Sequence, residues 1–115
     1  MNNDERLARI FKVLSVGTRV QILRMLKGRS CCVNALARRL DVTQGAVSQH
    51  LRIMRDAGLV IDDKRGYFVH YRVNEQTLAK WNRQLGGLLA PPAPEDTCNR
   101  AGKSCPRTPE RENAK

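Results

Sequence analysis

Apolar residues recur at three- and four-residue intervals through the first half of the chain. Leu7, Ile10, Phe11 and Leu14 form one such stripe, which predicts a helix from Asp4 to Leu14 with Asp4 as its N-cap. Gly17 breaks the pattern and Thr18 is placed to cap a second helix, carried by Val20, Ile22, Leu23, Met25 and Leu26 and stopped at Gly28. A short third helix follows from Asn34 to Leu40, with Ala35, Leu36 and Leu40 inward and Arg38 and Arg39 outward. Asp41-Val42-Thr43 reads as a tight turn, and Thr43 caps a fourth helix from Gln44 to Ala57 that Gly58 terminates. Beyond Gly58 the period falls from 3.6 to 2. Leu59, Val60 and Ile61 lead into the charged stretch Asp62-Asp63-Lys64-Arg65-Gly66, after which Tyr67, Val69, Tyr71 and Val73 alternate with Phe68, His70 and Arg72. That predicts a β-hairpin with a charged tip. A last helix, Glu75 to Leu89, carries Leu78, Trp81, Leu85 and Leu88 on one stripe and ends at Ala90-Pro91-Pro92-Ala93-Pro94.

The predicted class is therefore mainly α with a small β-hairpin (α+β), in the order of a winged helix-turn-helix. Residues 1–90 are expected to form the folded DNA-binding and dimerisation domain, and 91–115 a flexible, cysteine-containing tail too poor in apolar residues to fold alone. In this layout the helix after the turn enters the major groove, which is wide enough for a helix and where the four base pairs differ in their donor and acceptor patterns. Burying Val47, Leu51 and Met54 turns Gln44, Gly45, Ser48, Gln49 and Arg52 outward. Gln pairs with adenine and Arg with guanine, each through two hydrogen bonds, while Gly45 lets the backbone approach the duplex closely. Lys64 and Arg65 at the hairpin tip are candidates for phosphate or minor-groove contacts, and Arg38 and Arg39 for the DNA backbone. For these four basic residues, plain solvation is the competing expectation.

Charge supports a polyanionic partner. The 115 residues carry a formal net charge of +10, and it is concentrated: residues 1–90 hold 16 basic against 7 acidic side chains, a net +9. Neutralising phosphates releases condensed counterions and so favours binding of such a domain to nucleic acid. No apolar run approaches the roughly 20 residues of a bilayer span, and the acidic start MNNDERLARIF is unlike a signal peptide, so no membrane association and a cytoplasmic location are expected. There Cys31, Cys32, Cys98 and Cys105 are thiols, metal ligands or redox switches rather than a disulfide framework.

Four stretches, Leu14-Ser15-Val16-Gly17-Thr18-Arg19-Val20-Gln21-Ile22-Leu23, Val47-Ser48-Gln49-His50-Leu51-Arg52, Asp56-Ala57-Gly58-Leu59-Val60 and Arg65-Gly66-Tyr67-Phe68-Val69-His70-Tyr71, stand in an order and spacing that resembles the arsenic-repressor (ArsR/SmtB) family of bacterial metal sensors. The resemblance covers Leu7 to Leu89. It implies a homodimer, joined through the first and last helices, that represses by binding a double-stranded operator palindrome and releases it when an inducer binds. The stripe of the last helix agrees with that role, though packing within its own domain would also explain it.

The same resemblance implies several inducer sites. One, on the last helix, needs Asp, His or Glu pairs one turn apart, and Glu75 to Leu89 contains no histidine. Another is a Cys-Val-Cys motif leading into the third helix. Here Cys32 and Val33 match its first two positions and Asn34 replaces the second cysteine, with Cys31 adjacent. Soft ions want three or four thiolates, and Cys98 and Cys105 are candidates for the rest, from the same or the other subunit. The expected inducer is a thiophilic metalloid or metal, arsenite first, with cadmium, lead and zinc as the divalent alternatives. His50, on the reading helix, is expected to be structural or to touch the DNA backbone, and His70 to lack a nearby ligand partner. Alternatives are a thiol-to-disulfide redox switch, and a protein-interaction module without operator specificity. No Gly-rich phosphate loop or clustered carboxylates suggest an enzyme.

Overall fold

In the computed structural model, which describes residues 2–92, the elements run α1 (Asn3–Val13), α2 (Gly17–Leu26), β1 (Cys31–Cys32), α3 (Val33–Leu40), α4 (Gln44–Asp56), β2 (Val60–Arg65), β3 (Phe68–Val73) and α5 (Glu75–Leu89). Every predicted helix is present, but two caps differ. Asn2, not Asp4, begins α1: its side chain accepts from the Glu5 backbone N–H at 2.8 Å while the Glu5 carboxylate accepts from the Asn2 N–H at 3.2 Å. This reciprocal capping box places Asp4 and Glu5 in the first turn, where the positive end of the helix dipole favours them. Thr18 does not cap α2. That helix starts two residues earlier, at Gly17 with Val16 as its N-cap, and opens through the Val16 carbonyl, which accepts from Arg19 and Val20 at 2.9 and 3.2 Å.

The core is where the helical stripes converge. Ile22, Leu26, Leu36, Val47, Leu51, Met54 and Leu59 are fully buried, with Val13, Ala37, Val60 and Val73 completing the cluster. Tyr71, Leu78 and Trp81 pack against it from β3 and α5. Phe11, placed on the inner stripe of α1 by its spacing, is instead exposed, and α5 buries no residue completely: Leu88 and Leu89 stand 51% and 69% exposed. The last helix thus leans on the domain with one edge and leaves apolar surface uncovered.

The sheet has three strands, ordered β1-β3-β2, all antiparallel, where the sequence predicts only a hairpin. The extra strand is Cys31–Cys32, paired with Tyr71 and His70 of β3. The charged stretch is also displaced from its predicted place. Asp62, Asp63, Lys64 and Arg65 belong to β2, opposite Tyr71, His70, Val69 and Phe68, so the tip is the two-residue turn Gly66-Tyr67. Gly66 adopts φ +65°, the left-handed conformation that such tight hairpin turns require. Among the described residues no helix is long and apolar enough to cross a membrane.

Candidate nucleic-acid interface and thiol site

The bend between α3 and α4 is built by three devices. Asp41 takes the left-handed conformation at φ 56°, and the Val42 N–H reaches back to the Ala37 carbonyl at 3.1 Å, closing α3. Thr43 then caps α4 as its sequence position predicts, its hydroxyl accepting from the Ala46 N–H at 3.0 Å. Finally the Gln44 side-chain amide donates to Asn34 Oδ1 at 3.1 Å, joining the first turns of the two helices. Gln44 is thus exposed but already engaged through its nitrogen, leaving its oxygen available.

At the far end, α4 closes with a complete Schellman arrangement. Gly58, at φ +82°, donates to the Arg55 carbonyl at 2.8 Å, and Leu59 donates to the Met54 carbonyl at 2.9 Å, with both Leu59 and Met54 buried. The helix is therefore fixed at both ends and along the inner face formed by Val47, Leu51 and Met54. Gly45, Ser48, Gln49 and Arg52 project into solvent from the opposite side. Arg38 and Arg39 lie exposed in the last turn of α3, and Lys64 and Arg65 end β2 beside the hairpin turn. Arg55 pairs with Asp62 at 3.4 Å, linking α4 to the wing, and Arg72 pairs with Asp63 at 3.1 Å within it. Both pairs are solvent-exposed, so each orients more than it stabilises.

His50 is held from the side. Arg19 donates through Nε to His50 Nδ1 at 3.1 Å, and through a terminal nitrogen to the Val13 and Lys12 carbonyls at 3.2 and 3.5 Å. One guanidinium thereby ties α4 to the end of α1. Partial burial, and then the neighbouring Arg19 charge, push the His50 pKa below its ordinary value, which keeps Nδ1 as the acceptor this contact needs. This gives His50 the structural role expected of it.

The thiols take a definite orientation in β1. Adjacent strand residues face opposite sides of a sheet, and Cys31 packs against the core cluster. Cys32 consequently faces the other way, at the N-cap of α3, directly across from His70. Sequence could not show this register pairing, because 38 positions separate the two residues. Moreover, His70 Nδ1 is buried without a hydrogen-bond partner. Among the described residues no three His, Cys, Asp or Glu side chains are grouped to hold a metal ion. Cys98 and Cys105 lie outside the described residues.

Two functional candidates escaped the sequence reading. Arg19 gave no signal, because its partners sit in two other elements, α1 and α4. The alternating pattern predicts Tyr67 in the strand, whereas it occupies the turn and is fully exposed. Its position directly after Gly66, inside a hairpin, was the available clue.

Together, the helix-turn-helix, the capped reading helix and the flanking hairpin define a winged helix-turn-helix. The chain belongs to the arsR family of bacterial regulatory proteins, whose model matches residues 17–62. It is 39% identical over 66 residues to the arsenical resistance operon repressor of Escherichia coli K12, covering 56% of each chain. It is 32% identical over 69 residues to the transcriptional repressor SdpR of Bacillus subtilis 168, covering 60% of this chain and 77% of that one. A solution structure from Mycobacterium bovis, described as a homodimeric winged helix-turn-helix DNA-binding domain, superposes with a TM-score of 0.61 at 26% identity, covering 73% of this chain and 78% of that one. The chain spans little more than half the length of the Escherichia coli relative.

Proposed function

We propose that this protein is a cytoplasmic, dimeric transcriptional repressor that reads a double-stranded operator with α4 and releases it when a thiophilic inducer, arsenite first, is bound by cysteine thiolates. The observation that carries the DNA-binding part is the division of α4 into a fully buried face and a polar one. Ser48, Gln49 and Arg52, with Gly45 and the free oxygen of Gln44, meet base edges. Arg38, Arg39, Lys64 and Arg65 neutralise phosphates alongside. A second copy of the chain covers Phe11, Leu88 and Leu89, which the single chain leaves exposed. The domain assignment follows, with residues 1–90 folding and pairing and 91–115 supplying thiols.

Cys32 leads the inducer site. It faces away from the core at the first residue before α3, so a ligand pulling on its sulfur acts on the helix-turn-helix directly. Cys31 joins only if β1 leaves β3, because the pairing directs the two sulfurs to opposite faces. Cys98 and Cys105 complete a three-thiolate set suited to arsenite, or to cadmium, lead or zinc with a fourth donor.

The test is equilibrium binding to a duplex selected by the protein from a random-sequence library, against a scrambled duplex at physiological salt. Preference for the selected duplex supports the repressor reading, and equal affinity for both removes it. Arsenite is then titrated against the complex. Release from the wild type but not from Cys32→Ser supports the thiol site, and unchanged affinity in both refutes it.

A further inference from the structure

We infer that the wing carries an aromatic, charge-independent DNA contact: the rings of Tyr67 and Phe68 pack against the sugar walls of the minor groove while Lys64 and Arg65 engage the phosphates. The inference rests on the DNA-reading role proposed for α4. Tyr67 is fully exposed, and Phe68 is 63% exposed, although it belongs to a strand. Tyr67 stands wholly in water and Phe68 largely so, and two adjacent aromatic rings at a hairpin tip thus bury little against the described residues. The turn displaying them is rigidly specified, by the left-handed Gly66 and by the Arg65–Phe68 pairing that closes it.

Two further observations select the occupant. Lys64 and Arg65 immediately precede the turn, so whatever meets the rings also meets two cations, which favours a polyanion with apolar walls. The base of the wing is also tied to the reading helix, through Arg55 and Asp62 at 3.4 Å, which sets the hairpin beside α4. The minor groove offers both required chemistries, deoxyribose C–H surfaces and lining phosphates, and apolar side chains are known to wedge there. Tyr67 suits such a site because its ring is apolar and its hydroxyl stays hydrated or finds an acceptor.

A ring contact and a phosphate contact differ in their salt dependence. Each phosphate neutralised contributes about 0.9 to the slope of log affinity against log salt, whereas a neutral ring contributes none. Affinity for the duplex selected by the wild-type protein is therefore measured at several salt concentrations for Tyr67→Ala, Phe68→Ala, Tyr67→Phe and Arg65→Ala. Tyr67→Ala is expected to weaken binding about tenfold at every salt concentration with an unchanged slope, within the range that aromatic contacts to nucleic acid reach. Phe68→Ala acts in the same direction, and Tyr67→Phe retains wild-type affinity. Arg65→Ala instead lowers the slope by about 1. Wild-type affinity for both alanine variants at the tip overturns the inference, as does a slope change on removing Tyr67. If the wild type selects no duplex at all, the reading of α4 falls with it, an outcome distinct from a wild type that binds normally beside indifferent tip variants. Since Tyr67 touches nothing within the domain, its substitution leaves the fold intact.

Discussion

Leu51 and Arg52 are neighbours in sequence on opposite faces of the same helix, and substituting each by alanine separates folding from recognition. Leu51 is fully buried among Ile22, Leu36 and Met54 in the central cluster. Truncation to alanine removes three carbons, and at about 0.8 kcal/mol for each the transfer loss alone is about 2.4 kcal/mol. The neighbours are held by two capped helices and a paired sheet and relax little, so the residual cavity raises the total to about 3–4 kcal/mol. For a domain of this size that lowers the melting temperature by more than about 10 °C. Arg52 is exposed and makes no hydrogen bond or ion pair among the described residues, so Arg52→Ala shifts stability by less than about 0.5 kcal/mol. Its cost falls on binding, at about 1–3 kcal/mol for a lost two-bond contact to guanine, and only on the selected duplex. Urea denaturation followed by Trp81 fluorescence measures the first quantity, and fluorescence anisotropy of labelled selected and scrambled duplexes the second. A Leu51→Ala loss below about 1 kcal/mol would show the inner face of α4 to be poorly packed. Equal weakening of Arg52→Ala on both duplexes would reduce Arg52 to a phosphate contact.

Three further outcomes follow from the same geometry. Burial and Arg19 keep His50 neutral in the fold, so the unfolded chain binds the extra proton first as pH falls; stability is full above about pH 6.5 and declines below it, and His50→Gln, which keeps an acceptor for Arg19, flattens that decline in urea titrations at pH 7.5 and 5.5. A slope unaltered by His50→Gln assigns the pH dependence elsewhere. Thr43→Ala removes the cap of α4 and costs about 1 kcal/mol in thermal melts, with Thr43→Ser near wild type; equal stability of all three means the turn holds without the hydroxyl. Cys31→Ser places a hydroxyl against the core and destabilises the fold with inducer response retained, whereas Cys32→Ser leaves stability near wild type and abolishes release by arsenite; the reverse pattern in melts and anisotropy would exchange the roles of the two thiols.

The helices and the helix-turn-helix were legible from sequence because their signals are local. Val47, Leu51 and Met54 recur within two turns, Thr43 sits where a cap belongs, and Gly58 where a left-handed residue must follow. A spacing of 3.6 residues is a property of the segment alone, and tertiary packing uses the face it creates. The capping of α1 was less legible, since Asn2 and Asp4 are both good caps and only the reciprocal bond to Glu5 distinguishes them.

Other features depended on partners far along the chain. A strand of two residues has no period to detect, and Cys31–Cys32 becomes a strand only because β3 lies beside it. That pairing decides which thiol faces the core and sets Cys32 opposite His70. Asp62 to Arg65, poor strand formers, are drawn into β2 by the ladder to Phe68–Tyr71, which moves the turn onward and leaves Tyr67 in solvent. Arg19 and His50 meet across 31 positions for the same reason. Sequence settled which faces are apolar and where the helices stop, because those follow from neighbouring residues. The tertiary structure decided which side chains share a site, because Cys32 and His70, or Arg19 and His50, lie 31 or more positions apart and meet only when whole elements pack together.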